Sequence, residues 1–190
     1  MNLYTNVVKP LVDKFFSIFI LLLLSPILLL VSIAIVMDSG FPIFYFQKRV
    51  GKNGKEFYVF KFRTMINGAD KVGLERTSTN DSRITRIGKF LRKSSLDETP
   101  QLINVLKGDM SLIGFRPGIK KYYKQNDLSS DIFKVKPGIT GLAQVSGRSN
   151  LTPEQKRALE LKYANEISFL LDVKILLLTI IKVVTRASTN

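Results

Sequence analysis

Asp97 and Glu98 stand side by side between two cations, Arg92 and Lys93, and an apolar stretch that opens on Pro100 and closes at Gly108. The stretch predicts a short helix, since Pro suits a first helical turn and Gly the position just past the last. Two boundaries fit the same letters. With Thr99 as N-cap, the dyad lies at or just before the helix N-terminus, whose partial positive charge favours ionised carboxylates and attracts anions. With Ser95 as N-cap, Glu98 completes a capping box and serves only the helix. Adjacent helical residues point about 100° apart, so the two carboxylates are free to differ in role. A carboxylate is already deprotonated at neutral pH, and its attack on phosphorus gives an acyl phosphate that can pass the group on.

Cations recur along the chain. In the run 57–63, FYVFKFR, alternation places Phe57, Val59, Lys61 and Arg63 on one side of a strand, so two cations point together. A solvated strand edge guarded by Lys is the plainer reading. Arg92 is close enough in sequence to the dyad to bind a substrate phosphate, and Arg116, which precedes Pro117, is expected to be extended. The run 134–148, KVKPGITGLAQVSGR, carries Gln144 and Arg148. Its Pro137-Gly138, Gly141 and Gly147 predict tight turns whose bare backbone approaches a ligand, with an ordinary glycine-rich surface loop as the alternative.

Composition narrows the chemistry these groups can do. The chain has no Cys and no His. Neither a thiolate nor an imidazole base is available, so chemistry rests on carboxylates, hydroxyls, Lys, Arg or a hard cation such as Mg2+. The net charge of +14 falls on residues 40–190, because Lys9, Lys14, Asp13 and Asp38 cancel in residues 1–39. A basic globular part implies an anionic partner: nucleic acid, phospholipid or a phosphorylated substrate.

The elements that position the dyad start with an uncharged run from Phe15 to Met37. As a helix rising about 1.5 Å per residue it is long enough for a hydrocarbon core of about 30 Å. Ser25-Pro26 near its middle predicts a kink. Lysines precede the run, and Lys48, Arg49, Lys52 and Lys55 follow it, which draws both ends toward the cytoplasm. A simple span and a helix that turns back at Ser-Pro are equally compatible with that pattern. Residues 42–63 predict two strands around a Gly51-to-Gly54 turn, and 67–82 a polar loop. Ile84, Ile87 and Leu91 recur at helical spacing. Thr152-Pro153-Glu154-Gln155 marks a helix start with a capping box, its helix running to about Asn165. The apolar run 169–184 contains Asp172, Lys174 and Lys182, charges that favour an in-plane helix at the headgroup boundary over a span.

Three functions can be set against these features. A nucleic-acid binder uses the charge, but no recognised motif accompanies it. A basic membrane-bound scaffold that holds lipid phosphate without turnover explains the charge and leaves the dyad idle. An enzyme acting on phosphates uses all of it, with Arg and Lys clamping a pyrophosphate and a carboxylate pair supplying one nucleophile and one Mg2+ ligand.

The Ser25-Pro26 break, KFRTM at 61–65, SLDE at 95–98, QLINVLKGDMSLIGFRP at 101–117, KPGITGLAQVSGR at 136–148 and ISFLLDVKILLLTIIKVV at 167–184 together resemble the bacterial monotopic phosphoglycosyl transferases, in order and over almost the whole chain. The resemblance implies an α+β, mostly helical fold. Residues 1–40 would form a re-entrant membrane helix hairpin hinged at Ser25-Pro26. Residues 41–190 would form a small catalytic domain with a short β-hairpin and amphipathic in-plane helices, seated on the cytoplasmic face of the bacterial inner membrane. It further implies transfer of a sugar 1-phosphate from a UDP-sugar to polyprenyl phosphate with release of UMP, without nucleic acid as a partner. By the same resemblance Asp97 is the nucleophile, Glu98 the Mg2+ ligand and Arg116 a phosphate ligand. Arg92, Lys61, Arg63, Gln144 and Arg148 are further candidate contacts to the donor. The chain departs from the family pattern in having Lys9-Pro10 where a Lys-Arg pair is common, and Phe115 where Pro usually precedes the arginine.

Overall fold

The structure is a computed structural model that describes residues 3–69, 81–123, 125–147 and 150–185. The expected loop over 67–82 lies mostly outside the described residues, as does Arg148. After a turn at Tyr4–Val8, α1 runs as one helix from Lys9 to Ser39, through Pro26. With that turn it is, among the described residues, the one helix long and apolar enough to cross a membrane. Pro26 has no N–H for the Leu22 carbonyl, and the Ser25 hydroxyl donates to that carbonyl instead, at 2.8 Å. Ser17 and Ser32 likewise donate to carbonyls four residues back, so their hydroxyls are satisfied within the helix. Both ends of α1 are covered, by burial of Lys9, Asp13 and Ser17 at the start and of Val31 and Ile35 near the end, while Leu22, Leu23, Leu29 and Leu30 between them are exposed.

The chain then makes an antiparallel hairpin, β1 (Phe44–Val50) with β2 (Glu56–Phe62), in the register Phe44 opposite Phe62 and Val50 opposite Glu56. Its turn uses Asn53 and Gly54 at positive φ, as the GKNG sequence anticipates. α2 (Arg86–Ser94) is capped twice at its start. Gly88 N–H donates to Thr85 Oγ1, and Ile87 N–H donates to Asp38 Oδ2 from the end of α1. Leu91 then closes a core with Val31, Ile35 and Phe62. α2 comes so near the segment that follows β2 that a Cβ at Gly88 would sit 2.1 Å from the Thr64 carbonyl oxygen.

α3 (Gln101–Lys107) leads into β3 (Ser111–Ile113); after the short α4 (Gln125–Leu128) comes β4 (Gly138–Thr140). β3 and β4 pair in parallel, Ser111 opposite Gly138 and Ile113 opposite Thr140. This corrects the reading of Pro137-Gly138 as a turn open to ligand. A Cβ at Gly138 would lie 2.0 Å from Gly114 N, and one at Gly141 2.0 Å from Gly114 O. These glycines are needed for backbone to pack on backbone.

α5 (Leu142–Ser146), α6 (Pro153–Glu166) and α7 (Phe169–Val184) complete the chain. α6 begins with the expected capping box between Thr152 and Gln155. In α7, Ile175 is buried with Ile113, Val145 and Tyr163, while Phe169, Leu170, Leu177, Ile180 and Ile181 are exposed. Asp172 does not face headgroups as its charge suggested. It is buried, taking hydrogen bonds from Lys9 at 2.8 Å, Tyr4 at 2.6 Å and Tyr163 at 2.8 Å, which ties α1, α6 and α7 together. The fold is thus mostly helical with two small sheets, and its apolar residues gather in several local clusters. Exposed apolar side chains on α1 and α7 remain outside them.

Candidate active site

Neither expected cap forms at the Asp97-Glu98 dyad. Ser95 takes a left-handed conformation, φ 59°, that ends α2 and redirects the chain. Residues Leu96–Glu98 then make a single tight 3-10 turn, the Thr99 hydroxyl donates back to the Leu96 carbonyl, and α3 starts after Pro100 without a side-chain cap. The carboxylates therefore project from a turn between two helices. The dyad lies just before a helix N-terminus, the placement that the Thr99 boundary anticipated and the Ser95 boundary did not.

Asn104, fully buried on α3, fixes that turn against the hairpin. Its amide donates to Tyr58 O at 2.7 Å and accepts from Phe60 N–H at 3.0 Å. Lys61, the next residue on β2, donates to Glu98 Oε1 at 2.8 Å. Arg116, beyond β3, donates through Nη2 to Oε1 at 2.6 Å and through Nη1 to Oε2 at 3.3 Å. Glu98 is held by two cations from separate elements. Burial works against its charge, but Arg116 and Lys61 hold the carboxyl well below the usual range.

Asp97 is treated oppositely. It is half-buried and has no ion pair or hydrogen bond among the described residues. Burial, and then the neighbouring Glu98 charge, push its carboxyl up to about 6, against the pull of Lys61, Arg92 and Arg116. This revises the expectation that its local helix end holds it firmly ionised; at pH 7 it is mostly, not wholly, deprotonated. One carboxylate is a fixed charge and its neighbour a free oxygen donor near three cations. The pair has surplus positive charge around it, which suits an anionic ligand.

The remaining candidates are placed unevenly. Arg92 Nε donates to Thr64 Oγ1 at 2.8 Å, so the hydroxyl pins the guanidinium whose charge acts on Asp97. Arg63 makes its contacts elsewhere: Nη2 reaches Ser39 O and Ser39 Oγ at 2.8 Å and Gly40 O at 2.5 Å, capping the C-terminus of α1. Gln144 on α5 shares a cavity of about 410 Å³ with Glu98 and Arg116. Both its amide heteroatoms are buried without a hydrogen-bond partner among the described residues, so a ligand group entering there would satisfy them. The cavity is polar at the Glu98-Arg116 end and apolar along Ile20, Leu24, Leu102 and Leu176.

Three residues near the site escaped the sequence reading. Arg49 donates to Gln47 and to Pro117 O, and burial followed by the Arg116 charge lowers its pKa. Glu160 on α6 accepts from Arg116 N–H at 3.1 Å. Thr64 holds Arg92. Arg49 is indistinguishable in sequence from the other cations after α1, Thr64 falls inside the KFRTM run without a role of its own being read there, and Glu160 belongs to no local pattern.

The described residues contain no group of three or more Asp, Glu, His or Cys arranged to hold a metal. Mg2+ needs less, because it commonly takes one or two carboxylates and completes its shell with water and substrate phosphates. Glu98 fits that use, since among the described residues Oε2 has only the 3.3 Å contact to Arg116.

Comparison with known proteins adds what the geometry cannot. The family described as bacterial sugar transferase matches residues 4–186. The chain is 42% identical over 190 residues to a UDP-glucose:undecaprenyl-phosphate glucose-1-phosphate transferase of Xanthomonas campestris pv. campestris, covering 95% of this chain and 39% of that protein. It is 42% identical to the uncharacterized sugar transferase EpsL of Bacillus subtilis strain 168, covering 93% of this chain and 87% of that one. It is 43% identical to the galactosyl transferase CpsE of Streptococcus agalactiae serotype III, covering 84% and 38%. The chain therefore spans about two fifths of the length of two of these relatives and most of the third.

Proposed function

The chain belongs to the bacterial sugar transferase family, and from that premise we propose that it transfers a sugar 1-phosphate from a UDP-sugar to polyprenyl phosphate through Asp97. The carrying observation is the unequal treatment of the dyad: Glu98 is clamped by Lys61 and Arg116 while Asp97, beside it, has no ion pair among the described residues. An Asp97 oxygen attacks the phosphorus that bears the sugar. An O–P bond forms, the bridging bond to the second phosphate breaks, and UMP leaves with the electron pair. The polyprenyl phosphate oxygen then attacks the same phosphorus and expels the Asp97 carboxylate, giving the lipid diphosphate sugar. No general base is required, which accords with a chain that has no His.

Arg116 and Arg92 bind and orient the donor phosphates, and Lys61 keeps Glu98 ionised and aimed. Glu98, together with the donor's diphosphate, would hold Mg2+, which when bound neutralises phosphate charge. Gln144, with its unsatisfied amide, orients whichever substrate group enters its cavity, and the apolar walls from α1, α3 and α7 accommodate the first isoprene units of the acceptor.

Residues 1–40 are the membrane part and 41–190 the catalytic domain, on the cytoplasmic face of the inner membrane. Re-entry of α1 is supported by burial at both of its ends against one body, by its exposed apolar middle, and by Ser25 satisfying the carbonyl that Pro26 leaves free. The exposed apolar face of α7 supports an in-plane seat.

The test uses detergent-purified protein, Mg2+, polyprenyl phosphate and a panel of UDP-sugars headed by UDP-glucose and UDP-galactose, with UMP as the readout. With donor alone, intact mass should increase by one phosphosugar, mapped to Asp97. Asp97→Asn should lose both the adduct and turnover while melting and membrane association stay unchanged. A variant that still releases UMP at the parent rate would remove Asp97 from the mechanism.

A further inference from the structure

β3 separates two cavities. Its middle residue, Leu112, lines the one that holds Glu98 and Arg116, whereas Ser111 and Ile113 line another of about 500 Å³. Five lysines line this second cavity beside two carboxylates, Asp13 and Asp131, the lysines drawn from α1, the hairpin turn and the run before β4. Two of them are already paired, Lys9 with Asp172 and Lys134 with Asp131. The other three, Lys14, Lys52 and Lys136, have no ion pair among the described residues. Burial, then the Lys52 charge, pushes the Lys136 ammonium down from its usual range, with Lys14 adding to the effect and Asp13 and Asp109 opposing it. Unpaired cations brought together from distant parts of a chain repel one another, and an anion with several acceptor oxygens relieves that repulsion. A phosphate has this chemistry.

The surroundings indicate what carries the phosphate. On one side, Pro10 and Lys14 line the cavity, and exposed Leu11, Phe15 and Phe16 adjoin them on α1. On the other, Asn165 and Ile167 line it, and exposed Phe169 and Leu170 follow. A molecule with a phosphate among the lysines and acyl chains along these side chains satisfies both. We propose that this lysine-lined cavity binds the headgroup phosphate of an anionic membrane lipid, at a site separate from the Asp97-Glu98 turn. The proposal rests on the membrane seating of α1 and α7 described above and is independent of the reaction.

Amine labelling of the full chain, read by peptide mass spectrometry, tests it in phosphatidylcholine vesicles with and without phosphatidylglycerol. Labelling of Lys52 and Lys136 should fall about fivefold when phosphatidylglycerol is present, the factor expected for an ammonium held at an anionic headgroup. Lys55 and Lys174, exposed and outside the cavity, should not change. The double variant Lys52→Gln, Lys136→Gln should still bind phosphatidylcholine vesicles and lose the increment that phosphatidylglycerol adds. Equal protection of all four lysines would mean diffuse surface attraction and would overturn the site. Equal protection of Lys52 and Lys136 by inorganic phosphate in detergent would reassign it to a soluble phosphate and overturn the lipid. Absence of binding to either vesicle would overturn the membrane seating as well, whereas binding without protection would overturn the site alone.

Discussion

Replacing Lys61 with Met keeps the aliphatic stem and deletes the ammonium, which makes it a direct probe of the clamp on Glu98. The Lys61–Glu98 contact is 2.8 Å, with side chains only 20% and 14% exposed. Removing one partner of a buried pair costs about 3–5 kcal/mol when the other is stranded. Here Arg116 keeps its hold at 2.6 Å, so the loss should fall at or below the bottom of that range, about 2–3 kcal/mol. A second effect acts on Asp97, because Lys61 is the leading charge that opposes its upward shift. Without Lys61 the Asp97 pKa rises above its value of about 6, and a smaller fraction is ionised at pH 7. The acidic limb of kcat/KM against pH, which reports the free enzyme, should therefore begin near pH 6 in the parent and move to higher pH in the variant. Lys61→Arg should preserve most of the clamp. The assays are thermal unfolding in detergent and the pH–rate profile of UMP release. A Lys61→Met protein with parental melting and an unmoved acidic limb would refute the clamp.

Other substitutions probe how the site is held. Asn104→Leu removes both hydrogen bonds between α3 and β2 and strands Tyr58 O and Phe60 N–H; at about 1–3 kcal/mol for each unsatisfied group, it should lower the melting temperature and slow turnover together. Gly88→Ala places a methyl 2.1 Å from Thr64 O, so α2 must move off the segment after β2 and the Arg92–Thr64 bond should break, seen as a raised KM for donor in whatever protein folds. Tyr163→Phe should cost about 1–3 kcal/mol by leaving a buried acceptor on Asp172 short of one hydrogen bond, measurable as a lower melting temperature with unchanged donor KM.

Several elements were legible because their physics is local. Alternation and the GKNG turn located the hairpin, Thr152 to Gln155 located the start of α6, and the apolar run located α1. The same locality explains the misreadings. Ser95 carries the letters of a capping box, yet it ends the helix before the turn. Pro137-Gly138 carries the letters of a turn, yet Gly138 is small so that β4 can lie against Gly114. Arg63 continues the parity of Lys61, but β2 stops at Phe62, and its guanidinium caps α1.

By itself the sequence determined the chemistry available and roughly where it sits: no imidazole or thiol, an Asp-Glu dyad around the start of a short helix, excess cations and a long apolar run. Only the tertiary structure decided which carboxylate is fixed and which is free. Glu98 is paired with Lys61 and Arg116, which lie 37 and 18 residues away, and Asp172 is matched to Lys9 across 163 residues. Such pairings leave no periodic trace, because charge–charge energies depend on separation in space and on burial, and both are set when the elements dock.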